Sequence, residues 1–178
     1  SGGAGLSLAL NIADHAKVAV ICKSDMIESS TYYAQGGIAA VIADSDSVAS
    51  HVSDTLIAGA GLCNEDSVRF TVENSKQTIE WLIDQGVDFT REQNADSSQD
   101  YHLTKEGGHS HRRVVHADDA TGKAVSSTLT AKALAHPNID VYLNRVAVDL
   151  IIDKRDNLQL AENIILKQQD QITQIAKV

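Results

Sequence analysis

The stretch Ser1 to Cys22, S-G-G-A-G-L-S-L-A-L-N-I-A-D-H-A-K-V-A-V-I-C, decides the fold. Its opening residues, Ser1, Gly2, Gly3, Ala4 and Gly5, form a small-residue turn that enters an apolar helix through Leu6, Leu8, Ala9, Leu10, Ile12 and Ala13. Lys17 to Cys22 then reads as a short, nearly all-apolar strand of the kind buried on both faces of a parallel sheet. Turn, helix and strand make up the α-β part of a βαβ unit. Only a residue without Cβ lets the backbone approach a pyrophosphate seated on a helix N-terminus. Gly2 to Gly5 supplies the G-x-x-G half of the dinucleotide fingerprint. Its first glycine would precede Ser1, so the fingerprint is cut through its middle and the first strand is expected to be absent. Close helix–strand packing would use the same small residues. The acidic ribose ligand expected about 20 residues on is not at the strand end, where Cys22-Lys23 stands.

Glu28 to Ala40 follows as E-S-S-T-Y-Y-A-Q-G-G-I-A-A. Ser30, Thr31, Tyr32 and Tyr33 offer four consecutive hydroxyls and two aromatic faces. Ala34 leads to Gln35, Gly36 and Gly37, which put an amide and bare backbone N–H groups beside whatever the first turn holds, and Ile38 to Ala40 reads as a small-residue helix start. A planar heteroaromatic ring with carbonyl edges suits this loop; an ordinary polar loop is the alternative.

Two helices are expected next. Val48, Val52 and Leu56 recur every four residues from Asp46 to about Ala60, where Gly59-x-Gly61 ends the run. Asn64 then caps a helix with Glu65 and Asp66 in its first turn, the stripe Val68, Val72, Ile79, Leu82 and Ile83, Trp81 beside it, and Gly86 as its stop. Val87 to Phe89 and Tyr101 to Leu103 flank a polar hairpin or irregular loop from Arg91 to Asp100. Thr121 caps a helix from about Gly122 to Ala135 with Val125, Leu129, Ala133 and Leu134 inward, closed by Pro137. The strand candidates Ile139 to Leu143, Val146 to Ile152, Leu160 to Leu166 and Ile172 to Val178 complete the chain, the last three as an antiparallel meander.

Between these elements lies Thr104 to Gly122, T-K-E-G-G-H-S-H-R-R-V-V-H-A-D-D-A-T-G. Three readings stay open for it. His109 and His111, pointing the same way from a strand, could ligate a metal with His116 or Asp118, although the Arg112-Arg113 pair would repel a cation. Arg and His could instead hold carboxylates while Glu106 pairs with a positive group or exchanges a proton. The third reading is a solvated, salt-bridged loop.

The chain has 178 residues, is 43% apolar and carries 24 acids against 15 bases, a formal charge of -9. It can bury a core as one domain or one large piece of a domain. The charge argues against nucleic-acid and membrane-surface partners, which need clustered Lys and Arg. The two cysteines, Cys22 and Cys63, have no metal or redox spacing and look like reduced, cytosolic thiols. No apolar run approaches the roughly 20 residues of a membrane span, and Ser1 opens on a glycine turn without a signal-peptide leader.

S-G-G-A-G-L, S-T-Y-Y-A-Q-G-G-I-A-A, S-H-V-S-D-T-L-I-A-G-A-G, W-L-I-D-Q-G-V and above all H-L-T-K-E-G-G-H-S-H-R-R-V-V-H-A-D-D-A-T-G resemble the L-aspartate oxidase family, within the wider succinate dehydrogenase and fumarate reductase flavoproteins. The resemblance runs over essentially the whole chain. It implies an α/β, Rossmann-like FAD-binding domain segment with a parallel sheet, inserted helices and a terminal antiparallel β-meander. Residues 1–178 would be a partial FAD domain, with the first strand, the capping domain and the C-terminal part absent.

The implied activity is oxidation of L-aspartate to iminoaspartate by hydride transfer to the FAD N5, in the cytoplasm, with oxygen or fumarate as acceptor and quinolinate synthase as a further partner. The implied cofactor residues are Ser1 to Gly5 at the pyrophosphate, Lys23 after the second strand, Ser30 to Gly37 along the flavin, and Val146 and Ala147 at the adenine. Ser30 stands where fumarate reductases place the histidine that attaches flavin, which implies noncovalent FAD. Glu106 matches the carboxylate that orients the substrate amine. The family's catalytic arginine and other carboxylate-binding residues match nothing here, so the segment alone is expected to be inactive.

Overall fold

The computed structural model describes residues 2–92, 101–155, 158–168 and 171–175. The chain divides into two compact units, Ser1–Ser30 with Leu129–Val178, and Thr31–Thr128.

In the first unit α1 (Gly3–Ile12) runs into β1 (Val18–Ile21), which pairs in parallel with β5 (Ile139–Tyr142) in the register Val18↔Ile139 to Ile21↔Tyr142. Leu6, Ala9 and Ala13 form the buried stripe of α1, and Val20 and Cys22 are buried from the strand side. Full burial of Leu6 contributes about 1.5–3 kcal/mol. Asn138 locks the entry to both strands: its Nδ2 donates to the Ala13 carbonyl at 2.8 Å and its own carbonyl accepts from Val18 N at 2.8 Å. The expectation of a strand buried on both faces is corrected here. Ala19 is exposed, and Val18 and Ile21 are half-buried, because among the described residues α1 covers one face.

β6 (Val146–Arg155), β7 (Leu158–Gln168) and β8 (Gln171–Ile175) form the expected antiparallel meander in the order β6-β7-β8. The strands run further into the D-K-R-D-N segment than its turn chemistry suggests, with Arg155 paired to Leu158. Residues 176–178 of the last expected strand lie outside the described residues.

The second unit holds a three-stranded antiparallel sheet in the order β2 (Ile38–Ala39), β4 (Val114–Val115), β3 (Leu103–Thr104). Val114 and Val115 are buried at its centre. Ile38 to Ala40 is therefore strand and not a helix start: Ile38 pairs with Val115, Ala39 with Val114, and Ala40 N donates to the Arg113 carbonyl at 2.9 Å.

α2 (Val48–Ala58) begins at Ser47, whose hydroxyl accepts from Ser50 N, and ends at Gly59. Asn64 caps the next helix as expected, its side chain accepting from Ser67 N at 2.9 Å. That helix is two, however: α3 (Glu65–Glu73) and α4 (Ser75–Asp84) break at Asn74, φ −91° and ψ 0°. The Asn74 amide donates to the Phe70 carbonyl at 2.7 Å and Ser75 Oγ to the Val72 carbonyl at 2.7 Å. Such side-chain bonds compete with the helical ladder, and here they end it before Gly86, at φ +96°, closes α4.

Val72, Ile79, Leu82, Val87 and Phe89 make the core beside these helices. Arg91 and Tyr101 form an antiparallel bridge; residues 93–100 of the expected loop between them lie outside the described residues. α5 (Thr121–Ala135) buries Val125, Leu129 and Ala133 as read, but Leu134 is 62% exposed. Thr121 caps differently from the expectation: its hydroxyl accepts from Ala117 N at 3.0 Å, which ties the preceding turn to the helix. Among the described residues no helix is long and apolar enough to cross a membrane.

Candidate functional site

The first cluster of expected site residues lies in the first unit. Gly2 is the N-cap of α1 in extended conformation and makes no side-chain cap bond. The opening N–H groups of a helix have no acceptor within it, and Ala4 and Gly5 are exposed. A methyl group built on Gly5 meets nothing within 4 Å, so the space above this turn is open. Because Ala13 is anchored at the start of β1 and β5, the N-terminus of α1 projects toward their carboxyl ends, where open α/β sheets bind ligands. Exposed Lys23 follows β1 at that edge, and exposed Val146 and Ala147 follow β5. Ser1 lies outside the described residues, and Ser30 is exposed.

The second cluster, residues 31–37, lies in the second unit. Ala34 N donates to the Thr31 carbonyl at 3.2 Å, and the Tyr32 and Tyr33 rings meet edge to face with centroids 5.3 Å apart. Tyr33 is 61% exposed, and Ala34, Gln35 and Gly36 are exposed too. Gly122 lets the loop lie on the start of α5. Its N–H donates to the Ala34 carbonyl at 3.0 Å, and a methyl there would overlap the Thr31 carbonyl oxygen. Gly37 is needed for a like reason, since a methyl would strike the Val115 carbonyl.

The third cluster is the Thr104 to Gly122 stretch, organised on Arg113, which is fully buried. Its Nε and Nη2 donate to the two Asp46 carboxylate oxygens at 2.7 and 2.8 Å, and Nη1 donates to Asp54 Oδ2 at 2.7 Å. Ser50 Oγ lies 3.2 Å from Nη2, His111 Nδ1 3.3 Å from Nη2 and His109 Nδ1 3.4 Å from Nη1. Every donor direction of the guanidinium is thus met from within the unit. Arg113 is therefore not available to hold a ligand carboxylate, so for this residue the salt-bridged reading holds and the anion-pocket reading does not. His109 and His111 do converge, from a bend and not a strand, onto a guanidinium. Arg112 is exposed, with Nε donating to the Leu103 carbonyl at 2.9 Å.

Asp46, Ser50 and Asp54 were not singled out from sequence; Ser50 and Asp54, four residues apart, share one face of α2, and Asp46 precedes its extended N-cap Ser47. Burial works against the Asp46 carboxylate, but the Arg113 hydrogen bonds, the Ser47 N–H and the charges of Arg113 and His111 hold its pKa below the usual range. Asp54 is lowered further, to about 2, by the Ser110 N–H and hydroxyl, with Arg113 adding to both. Burial works against the Arg113 charge, and the hydrogen bonds and charges of Asp46 and Asp54 raise its pKa all the same. Burial, then the charges of Arg113 and His109, lower that of His51. Removing Arg113 would strand a buried carboxylate at a cost of about 3–5 kcal/mol.

Glu106 stands apart from this node. It is exposed, and among the described residues its carboxylate makes no hydrogen bond or ion pair. Its backbone carbonyl accepts from His109 N at 3.2 Å, which closes a turn through Gly107 and Gly108, the latter at φ +87°. On the far side of β4, His102 Nδ1 and His116 Nε2 are 2.8 Å apart.

The model of the FAD binding domain family matches residues 1–176. The chain belongs to that family. This FAD-binding chain is 57% identical over 158 residues to L-aspartate oxidase of Pseudomonas aeruginosa, covering 87% of the chain and 29% of that relative. It is 53% identical over 165 residues to L-aspartate oxidase of Yersinia pestis, covering 93% and 31%. A solved quinol fumarate reductase of E. coli superposes with a TM-score of 0.85 at 29% identity, covering 98% of the chain and 29% of that structure. The chain therefore spans about three tenths of the length of these relatives. The resemblance to the L-aspartate oxidases and the Rossmann-like α/β fold with its meander are both borne out, and FAD is the cofactor. The open glycine turn on α1 fits the pyrophosphate end of such a group.

Proposed function

We propose that the chain is part of a cytoplasmic flavoenzyme that oxidises L-aspartate to iminoaspartate, with oxygen or fumarate as acceptor and quinolinate synthase consuming the product. Identity of 53–57% to L-aspartate oxidases supports the substrate, and the fold shared with fumarate reductase supports the acceptor. FAD, when bound, supplies the two-electron acceptor. The residues assigned to it are Gly2 to Gly5 with Ser1 for the pyrophosphate, Lys23, the loop from Ser30 to Gly37, and Val146 with Ala147 for the adenine. Ser30 in place of an attachment histidine makes the FAD noncovalent.

The observation that carries the substrate reading is the exposed Glu106 carboxylate, which among the described residues has no hydrogen-bond or ion-pair partner, on its glycine turn. A carboxylate so placed can take the α-ammonium of an amino acid by a charge-assisted hydrogen bond, whereas a dicarboxylate without an amine gives it no partner. Arg113 is consumed internally, so the substrate carboxylates are held by groups other than this guanidinium. In the full-length enzyme Glu106→Gln should lower kcat/KM for L-aspartate by about 10²-fold, the loss of a charged hydrogen bond. Fumarate reduction should fall far less. Equal losses in both reactions would remove the ammonium-binding role.

A further inference from the structure

The Glu106 turn is closed by the His109 N to Glu106 carbonyl bond and leaves β3 at Thr104, two residues before Glu106. Two glycines make it pliant, its residues from Lys105 to Gly108 are exposed, and among the described residues the Glu106 carboxylate makes no hydrogen bond or ion pair. A side-chain anchor lies two residues beyond the glycines. Ser110 N and Ser110 Oγ both donate to Asp54 Oδ2, at 2.7 and 2.8 Å, and Arg113 Nη1 donates to the same oxygen at 2.7 Å. One oxygen on α2 therefore receives three donors, two from the turn and one from the buried end of the segment that carries it. Asp46 holds the other side of the same guanidinium with both of its oxygens. The segment from Glu106 to Arg113 is thus pinned at Ser110 and at Arg113, so Glu106 sits between the β3 end at Thr104 and the Ser110 pin, with Gly107 and Gly108 between it and that pin.

We propose that Asp54 is the positioning residue of the substrate-amine site: through Ser110 and Arg113 it sets where the Glu106 carboxylate meets the α-ammonium. This rests on the reading of Glu106 given above. Asp54 touches no substrate in this scheme; its effect passes entirely through the turn.

The test is a double-mutant cycle in the full-length, FAD-loaded enzyme with Asp54→Asn, Glu106→Gln and both together, measuring L-aspartate oxidation and fumarate reduction. Asp54→Asn should cut kcat/KM for aspartate about 10- to 100-fold, the scale of a misplaced contact, and fumarate reduction by less than about threefold. Because Asp54 acts through Glu106, the double variant should match Glu106→Gln alone instead of multiplying the two losses. Amide exchange at Ser110 should quicken in Asp54→Asn. Ser110→Ala, which keeps the Ser110 N–H bond to Asp54 while removing the hydroxyl and its contacts with Asp54, Ser50 and His111, should show a smaller loss of the same selective kind.

Multiplying losses in the double variant, equal falls in both reactions, or no loss in Asp54→Asn would overturn the proposal. If Glu106→Gln proves unselective, the reading of Glu106 fails by itself; the Ser110 exchange rate still reports whether Asp54 pins the turn, and an unchanged rate sinks the pin.

Discussion

Replacing Gly122 by alanine should weaken this protein, although the same change in most helices strengthens it. In an exposed helix interior Gly→Ala gains up to about 1 kcal/mol. At Gly122 the new methyl would overlap the Thr31 carbonyl oxygen and lie 2.6 Å from the Ala34 carbonyl oxygen and 2.8 Å from Ala34 Cβ. Two of these neighbours are backbone atoms, so no side chain can swing aside. Overpacking of this kind costs about 1–3 kcal/mol. Lifting the loop to relieve it breaks the 3.0 Å bond from Gly122 N to Ala34 O, worth about 1 kcal/mol more. The net expectation is a loss of about 1–3 kcal/mol, read by urea unfolding of the full-length FAD-loaded protein. Faster amide exchange at residue 122 should accompany it. A variant as stable as the parent, with the Gly122 amide still protected, would refute the reasoning.

Gly5→Ala makes the opposite case: nothing lies within 4 Å of the new methyl, so the apoprotein should keep or slightly gain stability while its affinity for FAD falls at least about tenfold, because the methyl takes the space of a pyrophosphate. Titrating apoprotein with FAD measures it; unchanged affinity would move the pyrophosphate elsewhere, and flavin that stays on the denatured polypeptide would contradict noncovalent binding. Acid should act through the Arg113 node. Asp54 at about 2 and the likewise lowered Asp46 contribute stability that is present above the ordinary value of 3.8 and lost as pH falls through their folded values. His51, lowered from 6.5, adds a loss of the same sign that begins at higher pH. Unfolding midpoints should therefore begin to fall below the ordinary His value of 6.5 and fall further from about pH 4 toward about pH 2, this last part less steeply in Asp54→Asn, and a flat profile there would contradict the assignment.

The parts legible in the sequence are those whose causes are local. The glycine turn, the helix from Leu6 and the apolar strand ending at Cys22 follow from neighbours in the chain, and so does the Asn64 cap. Ile38 to Ala40 misleads because its small residues suit a helix start, while pairing with Val114 and Val115 decides for strand. Asn74 ends a helix by bonding Phe70, a choice that a stripe of apolar residues does not encode. At the site, the charges from Glu106 to Arg113 are plain in the sequence, and the family resemblance points to Glu106, but the residues alone leave open which of the others face a ligand. Arg113 is consumed by Asp46 and Asp54, 67 and 59 residues away in the chain, and only the fold makes that pairing. Subtracting it leaves Glu106 and Arg112 as charges of that stretch without an ion pair among the described residues, and Arg112 is turned to the Leu103 carbonyl.

The small sheet of the second unit also sets an order of events in folding. β4 contributes only Val114 and Val115, yet it is the shared middle strand, bonded to Ile38 and Ala39 on one side and to Leu103 and Thr104 on the other. The pairing with β3 closes a short loop, whereas the pairing with β2 must wait until the chain between residues 39 and 114 has been made and gathered in, an entropic cost that delays such contacts. α2, α3 and α4 fall inside that interval and can form from neighbouring residues first. On a ribosome the Ser30 to Gly37 loop would thus emerge early and remain without its backing until Val115 and Gly122 arrive to seat it.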